Sequence, residues 1–85
     1  MNRRKLLERL RQGHLRNVPF EDFVVLVEAF GFQNLRTRGS HHAFGRKDIP
    51  EILNLQPRGG EAKPYQIRQF LRLVESYNLS LEIES

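Results

Sequence analysis

The stretch Arg36-Thr37-Arg38-Gly39-Ser40-His41-His42-Ala43-Phe44 places two of the chain's three histidines beside a glycine and two arginines. An imidazole with an ordinary pKa near 6.5 can both accept and donate a proton around neutrality. Guanidinium groups beside it can stabilise charge on phosphate oxygens. RNA suits so sparse a set of groups. Its own 2′-hydroxyl attacks the adjacent phosphorus once a base removes the proton, so the chemistry needs no protein nucleophile, metal or other cofactor. Arg36, Arg38 and, across the end of the sheet, Lys63 are the candidate phosphate contacts.

Strand alternation separates the two histidines. Successive side chains point to opposite faces, so Phe44 shares a side with His42, and Ala43 shares one with His41. Phe44 belongs in a core, which turns His42 inward or to an edge and leaves His41 on the open face beside a small residue. Judged by residue types alone, a histidine pair in a hairpin is more often a surface or packing feature than a catalytic one.

Other chemistries fit less well. His14, His41 and His42 lack a spacing that would converge on zinc, and the chain has no cysteine. Glu21, Asp22 and Glu28 fall on the outer side of a core helix and form no acid–base pair. Gly59-Gly60 reads as a turn, and no glycine-rich phosphate loop occurs.

These residues need elements to hold them. Asn2 caps a first helix to about Gln12 that Gly13 stops, with an apolar stripe of Leu6, Leu7 and Leu10. Arg3, Arg4, Lys5, Arg9 and Arg11 crowd its remaining surface, which reads as a solvated face ahead of the competing reading, a basic arm touching phosphates. His14 follows in a linker with no partner at a useful spacing. Pro19 opens a second helix to about Phe30, buried through Phe20, Phe23, Val24, Val27 and Phe30, with Val25 and Leu26 widening the stripe. Phe32–Thr37 and Ser40–Gly45 read as strands joined by Arg38-Gly39. After a polar loop over residues 45–50, Glu51–Gln56 forms a third strand that Pro57 ends. Arg58-Gly59-Gly60-Glu61 reads as flexible. Pro64 opens a last helix to about Tyr77, buried through Ile67, Phe70, Leu71 and Val74, with Asn78 as its terminator. The acidic segment 81–85 is expected to fray. Short connections imply an antiparallel three-stranded sheet with helices on one face, an α+β domain with its other face open.

Eighty-five residues allow one small domain, here a core over residues 18–79 with an added helix at 2–12. A net charge of +4 is a mild basic excess that favours a polyanionic partner. No apolar run approaches a membrane span, and the polar N-terminus is no secretory signal. With the absence of cysteine, these features fit a reducing cytoplasm.

Phe30-Gly31-Phe32, then Arg38-Gly39-Ser40-His41-His42, the strand Ile52-Leu53-Asn54-Leu55, and Lys63-Pro64 opening a helix with Arg68 together resemble the HicA toxins of bacterial toxin–antitoxin pairs. The resemblance covers residues 18–79 and is most specific at Gly-Ser-His. It implies an α-β-β-β-α fold like that of double-stranded-RNA-binding domains. It also implies an mRNA interferase whose essential histidine matches His41, and a HicB-type antitoxin that masks it. Gly39 and Ser40 would shape the turn that presents His41. The basic first helix extends beyond the usual family chain, and Asn54 and Gln56 stand where simpler members are more apolar. The competing readings are a non-catalytic RNA-binding module and a protein-interaction domain in which His41 is incidental. A helix-turn-helix DNA binder fits poorly, because the second helix is too apolar to be a recognition helix.

Overall fold

The computed structural model of the chain describes residues 1–81. Its order is α1 (Arg3–Arg11), α2 (Phe20–Ala29), β1 (Gln33–Arg38), β2 (His41–Arg46), β3 (Ile49–Leu55) and α3 (Pro64–Ser76). The three strands form one antiparallel sheet in the order β1-β2-β3. This is the α-β-β-β-α arrangement of double-stranded-RNA-binding domains with one helix added in front.

Each helix begins and ends where its sequence dictates. The Asn2 side chain accepts the Lys5 N–H at 3.0 Å and so satisfies one of the free donors of α1. Gly13 and Gly31, past the ends of α1 and α2, take φ of 92° and 90°, a left-handed conformation that glycine adopts freely. Asn78 does the same after α3, at φ 52°.

The buried stripe of α2 is rotated from the expected one. Phe23, Leu26, Val27, Ala29 and Phe30 are buried, whereas Phe20, Val24 and Val25 are only half-buried. The helix layer does not reach over the edge strand β1, so that side of α2 borders a shallow groove. In α3, Leu71 is likewise half-buried and Leu73 takes its place in the core. Phe70 sits at the centre, with edge-on rings of Phe23, Phe30 and Phe32 at 5.6, 5.4 and 6.0 Å. Such aromatic pairs each add about 0.5–1.5 kcal/mol beyond their buried area.

Strand boundaries also move. The hairpin turn is Gly39-Ser40 rather than Arg38-Gly39, because Arg38 pairs with His41 across it. Gly39 alone has positive φ, at 58°, as in a II′ turn with glycine first. The expected loop over residues 45–50 shrinks to Lys47-Asp48, and β3 begins at Ile49. Arg46 closes that turn with two bonds to the Asp48 carboxylate, at 3.0 and 3.1 Å, and donates another to the Phe30 carbonyl at the end of α2. Pro50 is tolerated because β3 is an edge strand.

The segment 58–61 is a defined turn and not a loose one. Arg58 and Glu61 exchange backbone hydrogen bonds at 2.9 and 3.0 Å. Phe20 N–H to Gly60 and Ala62 N–H to Val18, at 2.9 and 2.8 Å, pin it to the start of α2. Residues 82–85 of the segment expected to fray lie outside the described residues, while Leu81 packs half-buried against the core.

Candidate functional site

Register fixes the two faces of the sheet. Thr37, His42 and Leu55 align across the strands, as do Asn34, Phe44 and Leu53, and these rows face the helices. Phe44, Leu53 and Leu55 are fully buried there. The alternate rows, Arg38 with His41 and Arg36 with Ala43 and Asn54, face away from the helices. Between Asn34 and Arg36 the register shifts, so Leu35 is the extra residue of a bulge. Its side chain joins Ile52 over Gly45 on the open face: a β-carbon on Gly45 would meet Leu35 Cδ1 at 2.9 Å and Ile52 Cδ1 at 3.1 Å. Leu35 and Ile52 remain 57% and 41% exposed, an apolar spot on an otherwise polar surface.

The neighbouring histidines therefore have different surroundings. His42 is half-buried, with its ring 5.2 Å from that of Phe20 and its Nδ1 3.4 Å from the Thr37 hydroxyl. Asn34 in turn donates to that hydroxyl at 3.0 Å. His41 is exposed, and no hydrogen bond among the described residues engages its ring. Directly opposed residues of antiparallel strands hold their β-carbons roughly 4.5–5.5 Å apart, which puts Arg38 at the side of His41, with Arg36 as the diagonal neighbour. Both arginines are exposed, and within the described residues neither guanidinium is tied by a hydrogen bond or ion pair.

The turn that carries His41 is held from behind. Gln56 Nε2 donates to the Ser40 hydroxyl at 3.4 Å, and Lys63 Nζ donates to Gln56 Oε1, also at 3.4 Å. Gln66, only 3% exposed, accepts the Gln56 backbone N–H at 3.0 Å. The start of α3 is thus tied to the Gly39-Ser40 turn, and Lys63 stands half-buried at the end of the sheet behind it. Sequence reasoning missed Gln56 and Gln66 as supports, since a buried glutamine carries no pattern of its own. Arg46, though only two residues past Phe44, adds nothing to this basic surface: its side chain points back to Asp48 and Phe30, and its guanidinium holds the Asp48 carboxyl below the ordinary carboxylate value.

On its open sheet face this small α+β domain therefore presents an exposed imidazole flanked by two untied guanidiniums. The comparison with known proteins gives its family. Residues 20–75 match the family described as HicA toxin of bacterial toxin–antitoxin, and the chain belongs to that family. The match runs from the first residue of α2 into the last turn of α3 and leaves α1 and the α1–α2 linker outside. No curated protein and no solved structure matches the chain. Among the described residues, no helix is long and apolar enough to cross a membrane.

Proposed function

We propose that this toxin is an endoribonuclease of the cytoplasm that cleaves mRNA, with His41 as its proton-transfer group. The observation that supports this most is the separation of the two imidazoles. His42 is committed to Phe20 and Thr37, whereas His41 stands clear beside Arg38.

In this mechanism His41 takes the proton of a ribose 2′-hydroxyl. The freed oxygen attacks the adjacent phosphorus, the bond from phosphorus to the 5′-oxygen breaks, and water, which reaches the open face freely, protonates that leaving oxygen. Arg36 and Arg38 bear the charge that builds on the phosphate oxygens, and Lys63 adds positive charge at the end of the sheet. Gly39 and Ser40 shape the turn and take no part in bond making. Contacts to phosphates fix position without reading sequence, so cleavage has little base selectivity.

An antitoxin of the HicB type inhibits by covering this face, and the exposed Leu35 and Ile52 beside the arginines offer it apolar anchors. The added helix acts with the core as one domain, since Leu6, Leu7 and Leu10 share the apolar cluster of α2 and α3.

End-labelled RNA incubated with the purified protein tests the reading. Fragments that disappear with His41→Ala, along with loss of growth arrest on expression, are expected. Tight binding without fragments would favour the non-catalytic RNA-binding module instead.

A further inference from the structure

The chain carries a second basic surface that the nuclease site does not use. The C-terminal turn of α1, the α1–α2 linker and the first turns of α3 enclose a cleft of about 660 Å³, widely open to solvent. Arg9, Arg16 and Arg68 line it together with His14, against a single carboxylate, Glu61. All three arginines are exposed, and within the described residues no hydrogen bond or ion pair occupies their guanidiniums. Like charges gathered on a fixed frame repel one another unless an anion joins them. The frame is fixed here, because the backbone bonds from Ala62 to Val18 and from Phe20 to Gly60 lock the linker to the segment before α3.

We propose that this cleft is a second RNA subsite, which holds the phosphate backbone of the strand that His41 cleaves. The proposal rests on the nuclease reading for the identity of the strand. Three features favour RNA over a protein segment. First, the cleft begins beside the end of the sheet, from which a strand could pass round to it: Pro64 on its rim follows Lys63, which Gln56 ties to Ser40 beside His41. Arg68 lies four residues beyond Pro64, about 6 Å along α3, and could meet a further phosphate of a strand that enters there. Second, guanidinium forks match phosphate oxygens in pairs. Third, none of the large exposed apolar side chains lies in the cleft, so a protein partner would find no anchor there. Arg9, His14 and Arg16 come from the part of the chain outside the family match. They would therefore give this toxin a longer grip on RNA than residues 20–75 provide.

Fluorescence anisotropy with a labelled single-stranded RNA, methylated at its 2′-oxygens so that it binds without being cut, tests the cleft apart from catalysis. Arg9→Gln, Arg16→Gln and Arg68→Gln should each weaken binding roughly two- to fivefold. Each lost phosphate contact should flatten the slope of log affinity against log salt by about 0.7. Arg68→Lys, which keeps the charge, should recover part of the loss at matched melting temperature. Affinity and salt slope unchanged in all three glutamine variants would overturn the proposal. So would a loss confined to capture of the antitoxin. If the arginines govern binding yet cleavable RNA stays intact, the cleft stands and the nuclease reading falls.

Discussion

His41 and His42 are adjacent in the chain and lie on opposite faces of the sheet. The inner face is a packed surface, in which His42 rests on Phe20 and Phe44 lies over the helices' aromatic cluster. The outer face has arginines, an asparagine and an imidazole with little to hold them. One face gives stability, and the other carries the chemistry proposed above. The same two-residue period that buries one imidazole frees the other, so a mutation should act on fold or on activity according to the face it strikes.

The largest blow to the inner side is Phe70→Ala. It removes the ring that Phe23, Phe30 and Phe32 all meet, at a cost of about 3–5 kcal/mol. Total stability is only about 5–15 kcal/mol for most domains, so urea unfolding should show a protein close to its limit. Arg46→Ala comes next. It breaks the clamp on Asp48 and the Phe30 carbonyl, worth about 1–3 kcal/mol, whereas Asp48→Asn leaves the Phe30 bond in place and should cost less.

The sign of the pH dependence follows from Asp48. Its carboxyl is held below the ordinary value of 3.8, chiefly by the hydrogen bond from Arg46. Its contribution is therefore complete above that value and lost as pH falls through the lower, folded one. Wild type and Asp48→Asn should differ by a constant amount well above 3.8 and converge as pH falls through the lower, folded value.

Smaller effects sharpen the contrast between the faces. His42→Ala should cost about 0.5–1.5 kcal/mol through the lost Phe20 contact, measured by thermal melting. His41→Ala and Leu35→Ser, on the open side, should stay within about 0.5 kcal/mol. Leu35→Ser should nonetheless weaken capture of the antitoxin in a pull-down. Equal costs for His41→Ala and His42→Ala would erase the distinction.

What could be read from the chain was what repeats or stands next to its cause. Apolar stripes located all three helices, and alternation put His41 outside and His42 inward or at an edge. Gly39 marked the hairpin to within one residue. What escaped was every support whose partner lies far along the chain. Arg46 reaches back to Phe30, Gln66 takes the N–H of Gln56, and Tyr77 donates to Glu51 at 2.6 Å. The turn at 58–61 read as flexible because its glycines were visible and its bonds to Val18 and Phe20 were not. The basic residues of α1 read as a solvated face ahead of a phosphate-touching arm for the same reason, since Arg68 joins Arg9 only in three dimensions.

Cleavage of a labelled RNA under single-turnover conditions by wild type, His41→Ala and His42→Ala, at matched fraction folded, tests the central claim most directly. The account predicts that the first substitution abolishes cutting, while the second leaves the rate near that of the intact toxin. Undiminished cutting by His41→Ala would contradict it.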